Sequence, residues 1–163
     1  MDLGLKGKTA LVIASSRGLG QAMAVALARE GVKVAVTGRN ADSLQQTVQM
    51  IEAVGGKALA LNWDLANLDS IDAHVKEVES TLGPIDILIN NTGGPPPTTA
   101  TGQDPQLWQK SFNEMVLSLM AITDRVLPGM RERKWGRVIT STTSGAIVPI
   151  KNLAISNTLR AAL

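Results

Sequence analysis

The chain has 163 residues, 44% of them hydrophobic, a formal net charge of +2 and no cysteine. It contains no run of 18 apolar residues, which excludes a membrane-spanning helix, and the missing thiols exclude disulfides and thiolate chemistry. Lys and Arg are scattered rather than blocked and aromatic residues make up only 2%, which excludes the basic, base-stacking surface of a nucleic-acid binder.

The N-terminal segment Met-Asp-Leu-Gly-Leu-Lys-Gly-Lys lacks the apolar core and cleavage site of a secretion signal, so a cytoplasmic location is expected. Residues 9–20 read Thr-Ala-Leu-Val-Ile-Ala-Ser-Ser-Arg-Gly-Leu-Gly, an apolar run joined to two glycines. Helical spacing of Leu19, Met23, Ala26 and Leu27 follows, which predicts strand, tight turn and helix. At such a turn the unpaired N–H groups of the first helical residues point outward, and the positive end of the helix dipole favours a pyrophosphate. Gly18 and Gly20 carry no Cβ and let backbone and ligand approach. Taken alone, the turn reads equally well as a tight connection with no ligand.

Residues 32–37 form a second β-branched run, entered through Gly31 as a helix C-cap. Leu44, Val48 and Ile51 mark a helix that Gly55-Gly56 ends, and residues 58–63 are a third strand. Leu68, Ile71, Val75, Val78 and Leu82 give a helix stopped by Gly83-Pro84, before a fourth strand at 85–90. A long helix starts at Asp104-Pro105, with Asp104 as cap, and is expected to end near Pro128-Gly129. Its middle, 115–122, is apolar nearly all round, which predicts burial on two sides. Residues 137–142 read as a fifth strand, and 155–163 begin another helix.

Alternating β and α elements with continuous apolar strands predict an α/β fold: a doubly wound parallel sheet of Rossmann type in three αβα layers. The whole of 1–163 is expected to be one such nucleotide-binding domain, incomplete in its last helix. In such a sheet the ligand lies beyond the C-terminal strand ends, where strands one and four diverge. Residues 14–19 and 90–94 fall there.

Four motifs stand in this frame: Ala-Ser-Ser-Arg-Gly-Leu-Gly at 14–20, Asp64 after strand three, Asn90-Asn91-Thr92-Gly93 after strand four, and Gly136-Arg137-Val138-Ile139 opening strand five. Together they resemble the short-chain dehydrogenase/reductase family along the whole chain, and within it the 3-oxoacyl-carrier-protein reductase type. The resemblance implies a nicotinamide dinucleotide held by Ala14, Ser15, Ser16, Arg17, Gly18, Leu19 and Gly20 at the pyrophosphate and adenosine ribose. It further implies Asp64 and Leu65 at the adenine, and Asn91, Thr92 and Gly93 towards the nicotinamide.

Two departures occur in this region. Ile13-Ala14 stands where the family has Thr-Gly, so a positive φ at Ala14 would strain its backbone and weaken binding. Thr92 replaces a small Ala, and Gly93-Gly94-Pro95-Pro96-Pro97 makes a stiff loop beside the expected cleft, too embedded in the fold to serve as a proline-recognition peptide.

A Rossmann-type turn selecting NAD usually has a carboxylate near the end of strand two for the ribose 2′-hydroxyl, and the chain reads Thr37-Gly38-Arg39-Asn40 instead. Arg39, with Arg17 from the glycine turn, suits the 2′-phosphate of NADP(H), and Asn40 lies beside it; the competing reading is two solvated surface arginines. Asp42 reads as a helix-start residue.

The catalytic region departs further. The resemblance implies a Ser, a Tyr thirteen residues on, a Lys four beyond that and an Asn in the long helix, yet the chain has no tyrosine. The ungapped register puts Thr143 at the Ser, Ser156 at the Tyr, Arg160 at the Lys and Met115 at the Asn. Ser156 is a poorer acid than a phenol and shorter by a ring, and Arg160 cannot relay a proton, although it can hold charge and bond ribose hydroxyls. A small packing residue is the competing reading of Ser156.

His74 reads as a solvated side chain, Trp63, Trp108 and Trp135 as packing or element-end residues, and no metal-ligand spacing stands out. The resemblance implies an NADP(H)-dependent oxidoreductase acting on a small carbonyl or alcohol, with Thr143, Ser156 and Arg160 as a degenerate catalytic set. The alternatives are a non-catalytic NADP(H)-binding sensor or regulatory protein, and a fold retained with neither cofactor nor chemistry. A homo-oligomer is expected through the 105–130 helix, with no membrane or nucleic-acid partner.

Overall fold

The computed structural model describes residues 2–163. In chain order the elements are β1 (Thr9–Val12), α1 (Gly18–Arg29), β2 (Lys33–Gly38), α2 (Ala41–Ala53), β3 (Lys57–Asn62), α3 (Ile71–Leu82), β4 (Ile87–Asn90), α4 (Pro105–Phe112), α5 (Ser118–Glu132), β5 (Arg137–Thr140) and α6 (Ala154–Ala161). The strands form one sheet in the order β3-β2-β1-β4-β5, and every pairing is parallel. The doubly wound Rossmann-type arrangement is therefore present, with strand order reversing between β1 and β4.

Side chains alternate across a strand, so a strand covered on both faces needs apolar residues at successive positions. In β1, Ala10 and Val12 face α1 and α2 together with Val34, Val36, Ile87 and Ile89. Leu11 and Ile13 face the other way, into a second cluster with Ala35, Leu88, Val75, Leu119 and Ile122 that α3 and α5 close. A third, smaller cluster joins Met115 and Val116 to Ile155 and Leu159 of α6. The long apolar stretch at 115–122 is thus buried on two sides within the chain, and Met120 alone of its large residues lies open, at 56% exposure. No described helix is long and apolar enough to cross a membrane.

Several boundaries differ from the sequence reading. The long helix does not end at Pro128-Gly129 but continues to Glu132 with Pro128 inside it. Pro128 is exposed, so its ring stands on the solvent face, while Val126 and Met130 anchor the helix on either side. The same helix is broken by a π turn at Asn113–Leu117, which apolar spacing does not reveal. Strand β5 stops at Thr140 rather than at 142 and is exposed throughout as a sheet edge. Residues 68–70 form a 3-10 turn ahead of α3, and α6 spans Ala154–Ala161 rather than starting at 155 and running to the last residue. His74 is not a freely solvated side chain: its ring stacks on Trp63 with centroids 4.5 Å apart, because Trp63 fills the space under α3 at the end of β3.

Candidate functional site

Beyond Val12 the chain turns sharply through residues that hold one another by hydrogen bonds. Ala14 has φ +49°, the left-handed region that an L side chain enters at a cost of about 1–2 kcal/mol. Two partners fix it there: its N–H donates to Thr37 Oγ1 at 2.9 Å, and its carbonyl accepts from Asn91 Nδ2 at 3.1 Å. Ser15 is fully buried, donating to the Val12 carbonyl at 2.7 Å and accepting from Thr37 N at 2.9 Å, so it ties β1 to β2 behind the turn. Gly20 is also a supporting residue. A Cβ there would lie 2.4 Å from the Ala14 carbonyl oxygen, and only glycine lets α1 approach β1 this closely.

In front of the turn lies a cavity of about 520 Å³. Its floor is Ala14, Ser16, Arg17, Gly18 and Leu19, at the N-terminus of α1, where no side chain caps the helix. Gly18, at φ +60°, has open space where a Cβ would stand, which leaves the first helical N–H groups approachable. On the β2 side the wall is Thr37, Gly38, Arg39, Asn40 and Ser43. Asn40 caps α2 by accepting from Ser43 N at 2.8 Å. Among the described residues neither Arg17 nor Arg39 enters an ion pair, so both guanidinium groups are available to an anion. Trp63, Asp64 and Leu65 extend the wall past β3, where Asp64 accepts from Ala66 N at 3.0 Å and keeps an exposed carboxylate.

Asn91, Thr92, Gly93 and Gly94 form the opposite wall, joined by Glu114. Arg160 holds this wall from behind: its Nη2 donates to the carbonyls of Thr92 at 3.1 Å and Gly93 at 3.2 Å, and its Nη1 to that of Ser141 at 3.4 Å. Burial without a carboxylate partner lowers its pKa from the ordinary guanidinium value. Thr98 adds a second tie. It donates through N to Asn152 O at 2.9 Å, and its carbonyl and Oγ1 accept from Ala154 N and Ile155 N, each at 3.1 Å, at the start of α6.

Thr143 caps the 3-10 turn Ser144–Ala146 by accepting from Gly145 N at 3.3 Å, and Ser156 is half-buried on α6 one turn before Arg160. None of the three lines the 520 Å³ cavity. Met115, at the position expected for Asn, is buried in the third apolar cluster and offers no polar group. A second cavity, of about 710 Å³, is lined by Thr98, Trp108, Ile150 and Asn157 among others.

This geometry has known counterparts. The family model for short chain dehydrogenases matches residues 8–155. The chain belongs to the short chain dehydrogenase family. Ketoacyl reductase HetN of Nostoc sp. is 39% identical over 135 residues, covering 83% of this chain and 47% of that protein. The crystal structure of L-sorbose reductase from Gluconobacter frateurii, complexed with NADPH and L-sorbose, superposes with a TM-score of 0.94 at 32% identity, covering 100% of this chain and 62% of that one. A 3-oxoacyl (acyl-carrier-protein) reductase from Agrobacterium tumefaciens C58 with NADP bound gives 0.90 at 31% identity, over 97% and 61% of the two chains. The chain spans about half the length of the curated relatives it matches.

The fold brings most of the residues that the resemblance assigns to a cofactor to one cavity: Ala14, Ser16, Arg17, Gly18, Leu19, Arg39, Asn40, Asp64, Leu65, Asn91, Thr92 and Gly93. Ser15 and Gly20 lie behind its wall. The open cradle at Gly18 and the two arginines, unpaired among the described residues, fit an anionic dinucleotide. Gly94, within the 90–94 stretch expected at the strand ends, also lines the cavity, whereas the sequence reading did not single out Thr37, Gly38, Ser43, Trp63 and Glu114. Thr37, Gly38 and Ser43 flank motif residues and follow from the strand end, whereas Glu114 had no local signal, being delivered by the π turn.

Proposed function

We propose that this chain binds NADP(H) and works as an oxidoreductase that moves a hydride between the nicotinamide and a small carbonyl or alcohol. The observation carrying the reading is the pair Arg17 and Arg39, which enter no ion pair among the described residues and line a cavity whose floor is an uncapped helix N-terminus. Two guanidinium groups and no carboxylate from Thr37 to Asn40 suit a 2′-phosphate. Bound there, the cofactor supplies the hydride. The protein supplies orientation through the β1 turn and the Asn91–Gly93 wall, with the Asn91 side chain locking the Ala14 carbonyl.

Proton delivery is the weak part of the machinery. Thr143 and Ser156 provide hydroxyls suited to holding a water, and Arg160 provides fixed positive charge behind the Thr92 wall, but no group replaces a phenol. A placed acid typically contributes about 10²–10⁴-fold, so turnover slower than that of relatives by a factor in this range is expected. Arg160 favours a second reading as an NADP(H)-binding sensor or regulatory protein, because its guanidinium is committed to three carbonyls rather than left free for a ribose.

Calorimetry with NADPH and NADH, followed by turnover on ketones and 3-oxoacyl thioesters, tests both readings. NADPH binding with slow turnover supports the enzyme, binding without turnover supports the sensor, and no binding overturns both. Thr143→Val should abolish the residual rate, and Ser156→Tyr with Arg160→Lys should raise it. Assembly into a homo-oligomer belongs to the same proposal, through the helical stretch from 105 to 130, where Phe112 and Met120 remain open. Sedimentation as a monomer at micromolar concentration would refute that part.

A further inference from the structure

The helical stretch beyond the β4 loop carries a π turn at Asn113–Leu117, between α4 and α5. A π turn weakens local hydrogen-bond geometry and is found most often where a helix serves a site. Here Met115 and Val116 are turned into the apolar cluster with Ile155 and Leu159, while Glu114 comes onto the wall of the 520 Å³ cavity. An acidic side chain is an odd wall residue where Arg17 and Arg39 await an anion. Among the described residues its one ion-pair partner is Lys110 Nζ at 3.9 Å, a separation too long for a hydrogen bond, on a side chain 66% exposed. Glu114 Oε1 is closed off from solvent and has no hydrogen-bond partner, and the same holds for Oγ1 of Thr92, another residue of this wall.

A partly buried carboxylate with an oxygen that accepts no hydrogen bond is costly and is retained where something supplies a donor. A phosphate cannot, because it would repel the carboxylate. The neutral donors of a dinucleotide are its ribose hydroxyls, the adenine amino group and the nicotinamide carboxamide. The packing indicates which half they come from: Leu119 and Ile122, just past the π turn, share one cluster with Trp63, Leu65 and Ala14, so Glu114 stands on the sheet face that carries the end of β3.

We propose that Glu114 is a positioning residue for the adenosine half of the cofactor, its carboxylate accepting a hydrogen bond from a ribose hydroxyl or the adenine amino group. The proposal rests on the NADP(H) reading above. Calorimetric titration of the full-length protein with NADPH, 2′,5′-ADP and reduced nicotinamide mononucleotide tests it. Glu114→Ala should weaken NADPH and 2′,5′-ADP about tenfold each and leave the mononucleotide unchanged. Glu114→Gln, whose amide oxygen still accepts, should restore most of the loss, which a purely structural defect would not predict. With the hypoxanthine analogue of NADPH, a penalty in the unmodified protein that vanishes in Glu114→Ala assigns the bond to the amino group, and an equal penalty in both assigns it to a hydroxyl. Should Glu114→Ala not fold, Glu114→Met against Glu114→Gln makes the same comparison. NADPH binding unchanged or tighter without the carboxylate, or a loss confined to the mononucleotide, overturns the proposal and leaves the cofactor reading standing. An unmodified protein that binds neither NADPH nor 2′,5′-ADP overturns both.

Discussion

Arg160 Nη2 donates to the carbonyl oxygen of Thr92 at 3.1 Å, so α6 and the loop after β4 are fastened to each other by one guanidinium. The adjoining bonds to Gly93 and Ser141 make the group a three-carbonyl clamp across the ends of β4 and β5. Arg160→Met would leave those carbonyls without their donor, and a loss of about 2 kcal/mol in denaturant unfolding is expected. Amide exchange at Thr92, Gly93 and Gly94 should accelerate with it. Arg160→Lys keeps the charge without the planar fork and should recover less than half of the loss. An unfolding midpoint equal to that of the unmodified protein would contradict the clamp.

Ala14 gives the second prediction. Its φ of +49° is strained for any L residue with a Cβ, and Thr37 and Asn91 hold it in place. Ala14→Gly should raise stability by about 1 kcal/mol, the strain relieved outweighing the added freedom of the unfolded chain. Because Ala14 forms part of the cavity floor, the same change should tighten NADPH binding. Unfolding and calorimetry on the single variant check both effects, and a destabilised protein would show that the Ala14 methyl contributes more in packing than its backbone costs.

Cofactor selectivity turns on Arg39, which lies on the cavity wall without an ion-pair partner among the described residues. The unmodified protein should bind NADPH more tightly than NADH. Arg39→Asp should reverse the order by replacing a phosphate partner with an acceptor for a ribose hydroxyl. Calorimetric affinities that are equal for the two cofactors in the unmodified protein would refute this assignment.

Arg125 joins α3 to α5, donating through Nε to Asp72 at 2.8 Å and through Nη2 to Glu79 at 3.2 Å. Hydrogen bonds from Lys76 and Arg125 hold the Asp72 carboxyl below its ordinary pKa. A folded-state value below the unfolded one stabilises the protein above the unfolded pKa, and that contribution is lost as pH falls through the folded value. Stability should therefore decline from about pH 4 downward, and less steeply in Asp72→Asn. Urea unfolding across pH 2.5–6 (on the order of six points) reads the difference between the two slopes, and parallel curves would exclude the pair.

The sheet was legible in the sequence because its strands are apolar at successive positions, and 10–13 and 87–89 could form little else than doubly covered strands. Most of the wall of the 520 Å³ cavity was legible too, since glycines and strand ends mark where the backbone turns at the rim of the sheet. Pro128 misled because a proline on an exposed helix face costs one hydrogen bond that water replaces, and local sequence does not show which face is exposed. The stack of His74 on Trp63 and the arrival of Glu114 on the cavity wall both depend on how α3 and the π turn sit on the sheet. Both are tertiary facts, and the polar neighbours Lys76 and Glu77 gave no hint of the first.

Trp63 sits at the meeting point of two environments, lining the cavity and stacking its ring on an imidazole 4.5 Å away. Trp108 and Trp135 lie elsewhere, and Trp135 is flanked by the cations of Lys8 and Arg137. The protein thus carries an optical probe already mounted at the 520 Å³ cavity. A molecule seated beside the 2%-exposed Trp63 changes that indole's emission without any label, and a Trp63→Phe variant separates its signal from that of the other two.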